Sequence, residues 1–102
     1  MQALTGFQKR HLRALANTLN PVVYIGKSGL SDAVLHSIDE ALADHELIKI
    51  KYLEFKEERK TLNEQIVEKC ACVLAGSVGH TALFYRQNPD AQKQKIKLPV
   101  KN

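Results

Sequence analysis

The stretch "PVVYIGKSGLSDAV", residues 21–34, combines a short apolar run, a glycine-containing loop and a helix start. Val22 to Ile25 is rich in β-branched residues and has turn residues on both sides, which predicts a buried strand. Ser31 is a suitable N-cap for the helix that follows, and Asp32 suits the positive end of a helix dipole. This stretch therefore predicts a strand–loop–helix unit.

The segments around this stretch predict three helices and four strands in all. The first helix covers about residues 5–19, and the second ends near residue 45. A strand in "ELIKIKYLEF" follows, then a third helix that ends near Ala71, a strand from Val73 to Val78, and a last strand in "TALFYR". The order αβαβαββ predicts a small two-layer-type α/β sandwich with a mixed four-stranded sheet, because helical crossovers imply some parallel pairing.

The first two helices have apolar stripes at helical spacing. The predicted buried residues of the first helix are Leu12, Leu15, Ala16 and Leu19, and those of the second are Val34, Ile38, Ala41 and Leu42. Three cations of the first helix lie off its stripe, three or four residues apart, and therefore share its outward face. These cations are Lys9, Arg10 and Arg13.

Length and composition predict a single globular domain. The 102 residues include 44% hydrophobic and 25% charged residues, which are ordinary values for a folded domain. We expect a core over about residues 4–87 and a basic C-terminal extension over 88–102, in which Ile96, Leu98 and Val100 can dock on the body. Cys70 and Cys72 are too close in sequence for a comfortable disulfide, which predicts buried, reduced thiols.

The N-terminus and the hydropathy of the chain favour a cytoplasmic protein. No apolar run approaches the roughly 18 residues that cross a bilayer. Residues 1–20 are basic, acid-free and amphipathic, which is also compatible with a mitochondrial transit peptide, but they contain no Ser. A structural first helix is the preferred interpretation.

Positive charge is concentrated at the two ends of the chain. Residues 1–31 contain four bases and no acid, residues 32–68 five bases and ten acids, and residues 69–102 six bases and one acid. If the two ends meet in space, they form a basic face suited to a polyanion.

The Gly-Lys-Ser sequence at residues 26–28 is also the end of a phosphate-binding P-loop, but the spacing excludes that motif. A P-loop needs a glycine five residues before its Gly-Lys-Ser, and that position is Pro21. What remains is Gly26-x-x-Gly29 between a strand and a helix. Two glycines let a backbone approach a ligand closely, and a helix N-terminus with Lys27 favours phosphate, as in the GxxG loop of KH modules. As a bare pattern, the tetrapeptide is more often a plain tight turn.

The remaining polar residues do not predict catalysis. The four histidines lack metal-ligand spacing, and the carboxylates that adjoin in sequence point in different directions on a helix. We therefore expect no enzyme activity, metal or cofactor. Lys49 and Lys51 are interpreted as a solvated strand face, whereas Tyr85 and Arg86 could stack on and pair with RNA, with a core position equally open for Tyr85.

Four blocks of the sequence resemble successive parts of the YhbY-like CRM domain, the chloroplast RNA splicing and ribosome maturation module. The blocks are "LTGFQKRHLRALA", "NPVVYIGKSGLSDAVLHSIDEAL", "HELIKIK" and "VGHTALFYR". They follow in family order from Leu4 to about Pro99, and the chain is similar to stand-alone bacterial members. One block departs from the family pattern, because "CACVLAGSVG" lacks a helix-ending glycine and Gly76 enters the predicted strand instead.

The resemblance implies a fold like that of the C-terminal domain of translation initiation factor three, and RNA binding as the function. Stand-alone bacterial members are associated with precursors of the large ribosomal subunit. The resemblance and the charge pattern assign seven residues to RNA binding: Gly26, Lys27, Ser28, Gly29, Lys9, Arg10 and Arg13. Arg86 is added as a predicted RNA-binding residue because of its place beside Tyr85.

We therefore expect a non-enzymatic assembly factor that binds ribosomal RNA in large-subunit precursors, as a monomer and without a membrane or DNA partner. An alternative is an adaptor that docks on ribosomal proteins through its acidic middle, with incidental RNA contact. A small enzyme acting on a phosphate-containing ligand is a more distant third hypothesis. A steep salt dependence of binding separates RNA binding from an apolar protein interface, and nucleotide binding is required only by the enzyme hypothesis.

Overall fold

The computed structural model describes residues 3–100, in which three α-helices and four β-strands alternate as predicted. In chain order the elements are α1 (Gly6–Ala16), β1 (Val23–Ile25), α2 (Asp32–His45), β2 (Leu47–Tyr52), α3 (Arg59–Cys70), β3 (Val73–Val78) and β4 (Thr81–Tyr85). A single 3-10 turn, Ala91–Lys93, follows them. Within these described residues, no helix has the length and apolar character needed to cross a membrane.

The four strands form one mixed sheet in the order β1-β2-β4-β3. β1 and β2 are parallel, with Val23 opposite Ile50, and α2 makes the crossover between them. β4 is antiparallel to both of its neighbours, β2 and β3. The predicted mixed four-stranded sheet is confirmed.

Helices cover both faces of this sheet. α2 and α3 pack on one face, where the core includes Ile38, Leu42, Ile48, Ile50, Ile66 and Phe84. α1 packs on the other face, where Leu12 and Ala16 contact a cluster that includes Leu47, Leu83 and Tyr85. The sheet with α2 and α3 is the predicted sandwich, and α1 adds a helix to the opposite face, a placement that the order of elements does not specify.

The first helix is shorter than predicted. It ends at Ala16, after which the amide of Leu19 donates to the carbonyl of Ala16 at 3.0 Å in a tighter turn, ahead of Pro21. Leu12 and Ala16 are buried as predicted, whereas Leu15 is 41% and Leu19 37% exposed. The prediction of a buried stripe was therefore wrong for Leu15 and Leu19, because only the other two residues point at the sheet.

The strand predicted as buried from Val22 to Ile25 begins at Val23 and is buried on one face only, because Tyr24 is 53% exposed. The predicted start of α2 and end of α3 are confirmed. The Ser31 hydroxyl accepts a hydrogen bond from the Val34 amide at 3.2 Å and caps α2. α3 ends with Ala71 in the left-handed conformation at φ +50°, where the family resemblance leads one to expect glycine. Cys70 and Cys72 are buried free thiols, and burial together with the adjacent Cys70 raises the pKa of Cys72 to about 12, so its thiol stays protonated.

The C-terminal segment docks beside α1. The buried Glu46 carboxylate accepts hydrogen bonds from the amides of Asn88 at 2.7 Å and Ile96 at 2.9 Å. Ile96 and Leu98 pack against the α1 side of the sheet, whereas Val100 is 81% exposed and does not dock as predicted. The two basic ends of the described chain therefore meet in space.

Candidate nucleic-acid interface

The loop over residues 26–29 is a tight turn at the end of β1. The Gly29 amide donates to the Gly26 carbonyl at 3.0 Å and closes the turn. Gly29 has φ +62°, and a Cβ built on it would lie 3.6 Å from the ring of Phe55. Because residues other than glycine rarely adopt a φ in this region, the turn requires glycine at position 29.

Gly26 has a different role in the loop, because nothing in the protein requires it to be glycine. A Cβ built on Gly26 would meet no heavy atom within 4 Å, and its φ does not lie in the left-handed region. The space beside Gly26 is therefore open to a ligand. Lys27 and Ser28 are exposed at the tip of the same turn.

The surroundings of the loop differ in charge between its two sides. On the side of α2 and α3, Lys27 and Lys56 share a shallow hollow with three carboxylates, Glu54, Glu57 and Glu58. The α2 N-terminus is capped by Ser31 and carries Asp32 in its first turn, which partly offsets the positive end of the dipole. An anion is thus better received from the other side of the loop.

That other side continues into a cationic stretch of the sheet and α1. Arg10 and Arg13 line one hollow together with Lys49 of β2, and Lys9 lies one residue from Arg10 on α1. Lys51 is exposed on the same sheet face as Lys49, because alternate residues of a strand share a face. We call these five cations the basic surface: Lys9, Arg10, Arg13, Lys49 and Lys51.

The position of Arg13 in this surface depends on a glycine in β3, Gly76, which has no side chain. The Arg13 side chain lies over Gly76, where a built Cβ would be 2.8 Å from the Arg13 Cδ atom. One guanidinium nitrogen, Nη1, donates to the Ala75 carbonyl at 3.4 Å, beside the register irregularity between Leu74 and Gly76. The glycine that departs from the family pattern thus makes room for a predicted RNA-binding arginine.

Comparison with known proteins agrees with this architecture. The family model of the CRS1/YhbY (CRM) domain matches residues 4–86. The chain belongs to the CRM domain family. A Haemophilus influenzae protein named "RNA-binding protein" is 40% identical over 102 residues, which are 99% of this chain and all of the relative.

Other CRM relatives agree in sequence and in fold. A Bacillus subtilis protein, named "Probable RNA-binding protein YqeI", is 37% identical over 94% of this chain and 99% of its own length. The solution structure of a Staphylococcus aureus protein superposes with a TM-score of 0.78 at 34% identity, covering 95% of this chain and all of the other. The predicted CRM fold is therefore confirmed.

Arg86 lies apart from the basic surface of this CRM domain. Its Nη1 donates to the Asp39 carboxylate at 2.6 Å and to the Cys70 carbonyl at 2.9 Å, and its Nη2 donates to the Asp39 carbonyl at 2.9 Å. These bonds join α2 to the end of α3, on the sheet face opposite α1. Contact of Arg86 with RNA stays a prediction, and its observed partners give it a structural role. Tyr85 is fully buried in the core.

The basic surface was only partly foreseen. Sequence reasoning found the α1 cations but interpreted Lys49 and Lys51 as solvated. The alternation of Ile and Lys in "IKIKY" did place both lysines on one sheet face. The sequence does not specify the side of the sheet on which α1 packs, and this packing makes Lys49 a neighbour of Arg10 and Arg13.

The adjacent carboxylates of α2 have different partners in this CRM domain. His36 pairs with Glu40 at 2.5 Å on the exposed surface of α2. Asp39, the sequence neighbour of Glu40, is instead paired with Arg86. Among residues 3–100, no group of three or more His, Cys, Asp and Glu side chains could hold a metal ion.

Proposed function

We propose that this CRM-domain protein binds RNA through the basic surface and the GxxG loop beside it, and that it acts in assembly of the large ribosomal subunit. The observation that carries the proposal is the separation of charge between α1 and α2, which lie on opposite faces of the sheet. α1 contains three of the five cations and no acid, whereas α2, on the opposite face, contains Asp32, Asp39, Glu40 and Asp44 and no Lys or Arg.

Such a separation favours one orientation on a polyanion. Cations that neutralise phosphates release condensed counterions, which drives binding and makes it depend steeply on salt. The acidic α2 face is repelled by the same phosphates and therefore turns away. The protein then meets RNA with α1, the open part of the sheet and the near side of the loop.

The GxxG loop contributes close backbone contact in this proposal. The open space beside Gly26 admits a phosphate oxygen without a clash, and Lys27 adds a cation at the tip. The core over residues 4–87 is the RNA-binding unit. The extension over residues 88–102 supports α1, through Ile96 and Leu98 in its described part.

The assignment to large-subunit precursors rests on the family resemblance, and the names of the relatives support the RNA-binding part of it. The test is ultraviolet crosslinking of the protein to RNA in growing cells, followed by mapping of the contacted nucleotides. We expect crosslinks concentrated in precursor ribosomal RNA of the large subunit, and fewer of them for Lys9→Ala/Arg10→Ala/Arg13→Ala.

Two other outcomes would contradict the proposal. Crosslinks scattered over messenger RNA would leave RNA binding in place but remove the ribosomal role. Crosslinks to ribosomal proteins, with RNA contacts unaffected by the α1 substitutions, would favour the adaptor hypothesis, for which the acidic face of α2 is the available docking surface.

A further inference from the structure

An aromatic side chain lies on the open sheet between α1 and the GxxG loop. Tyr24 is in the middle of β1, an edge strand, and is 53% exposed. It belongs to neither of the two core clusters. A tyrosine on a strand has good β propensity, so exposure alone implies no ligand, and the case depends on the neighbours of the ring.

The neighbours of Tyr24 on this face of β2 are cations, and the exposed apolar residues Val22 and Leu53 flank them. Lys51 is the register partner of Tyr24 across the parallel β1–β2 pair, on strands about 4.8 Å apart. Lys49 lies two residues earlier on the same face of β2, and its carbonyl accepts from the Val22 amide at 2.9 Å. Gly26 follows Tyr24 by two residues in the chain. No acidic residue belongs to β1 or β2.

The order of these groups across the sheet defines a path for a nucleic-acid strand. Arg13 lies over β3, Lys49 and Lys51 belong to β2, Tyr24 to β1, and Gly26 to the loop after β1. The hollow on the opposite side of the loop carries three carboxylates against two lysines. A strand that contacts both the α1 arginines and the loop therefore passes over the Tyr24 ring.

We propose that Tyr24 stacks on an unpaired base of the bound RNA, while Lys49 and Lys51 contact the adjacent phosphates. This inference rests on the proposed RNA-binding function and specifies its substrate class as single-stranded RNA. Bases in an A-form duplex are already stacked on one another and cannot reach a ring on a sheet, whereas the unpaired bases of single strands can be splayed onto aromatic side chains.

The test compares Tyr24→Leu and Tyr24→Phe for binding to an oligo(U) strand and to an oligo(A)–oligo(U) duplex of the same length. Leucine keeps an apolar side chain but removes the π face, and phenylalanine keeps the ring. We expect Tyr24→Leu to weaken binding of the single strand about 5- to 150-fold. Tyr24→Phe should bind like the parent, and neither change should alter duplex binding or the salt dependence, because no cation is lost.

A second measurement uses Tyr24→Trp, which gives the chain its first tryptophan. Stacking on a base should quench the indole fluorescence when oligo(U) saturates the protein, and saturating duplex should not. This readout keeps the test decisive if Tyr24→Leu folds poorly.

The outcomes separate this inference from the proposed function. If the parent binds oligo(U) with a steep salt dependence, yet Tyr24→Leu binds equally well or the indole is unquenched, the stacking inference is overturned and RNA binding stands. A tighter complex with the duplex than with the single strand would also overturn it. If the parent binds neither RNA, the proposed function fails, and the stacking inference fails with it.

Discussion

Substitution of Gly26 by alanine separates the ligand-binding role of the loop from its role in folding. The added methyl group meets no heavy atom of the protein within 4 Å, and the φ of Gly26 is not in the left-handed region. Replacing glycine where the backbone conformation is permissive stabilises a protein by about 0.4–1 kcal/mol through the unfolded state. The melting temperature of Gly26→Ala should therefore stay constant or rise slightly.

RNA affinity should respond in the opposite direction. If the backbone at Gly26 contacts a phosphate, the methyl group displaces a hydrogen bond to a charged group, whose net value is about 1.5–3 kcal/mol. The dissociation constant should then increase about 10- to 150-fold. Fluorescence anisotropy with a labelled RNA measures the affinity, and thermal unfolding measures the stability.

Two comparison variants sharpen this experiment. Gly29→Ala should cost folding stability as well, by about 1–2 kcal/mol, because φ at Gly29 is +62°. Ala43→Ser adds one heavy atom at an exposed position of α2 and should leave the RNA affinity unchanged. Parent-like RNA affinity in a stable Gly26→Ala protein would show that the loop is only a turn, and the reasoning would be refuted.

Three further predictions follow from other positions. Gly76→Ala should displace the Arg13 side chain and weaken RNA binding, by no more than Arg13→Ala does. The melting temperature should stay unchanged, because the built Cβ would clash only with that flexible side chain. An RNA affinity equal to that of the parent would contradict this prediction. Ala71→Gly should raise the free energy of unfolding by about 1 kcal/mol, or about 4–8 °C in thermal unfolding, because the site is left-handed; a lower melting temperature would count against that conformation. The Cys72 thiol has a pKa raised by burial from 9.0 to about 12, so above pH 9 the unfolded state loses its proton first and native stability falls by about 1.4 kcal/mol per pH unit. Denaturant titrations of Cys72→Ala should show a shallower alkaline decline, and identical slopes would disprove the linkage.

A structural feature was predicted correctly from the sequence when it depends on residues that are close together in the chain. The Ser31 cap, the strand at residues 73–78 and the end of α3 rest on local chemistry, and all were confirmed. The stripe of α1 was predicted from periodicity alone. Leu15 and Leu19 fit that period, but whether they are buried depends on how the helix lies over the sheet and where it unwinds.

The candidate site shows the same limit. The cations of α1 were found because they share a helix face, which is a local property. The proximity of Lys49 to Arg10 depends on the sheet face that α1 covers, and the role of Gly76 depends on contact with Arg13, which lies over sixty residues earlier in the chain. Arg86 was assigned from its sequence neighbour, whereas its observed partners come from α2 and α3.

The most direct test of the central claim measures how RNA affinity depends on salt in two triple variants of equal net charge. One is Lys9→Ala/Arg10→Ala/Arg13→Ala on α1. The other is Lys56→Ala/Lys60→Ala/Lys69→Ala, which removes three exposed cations from α3 and the loop before it. If the basic surface binds phosphates, the slope of log K against log salt should flatten by about 2–3 in the α1 variant and by much less in the α3 variant. Equal flattening in both would mean that RNA responds only to net charge, and an unchanged slope in the α1 variant would mean that α1 does not contact RNA.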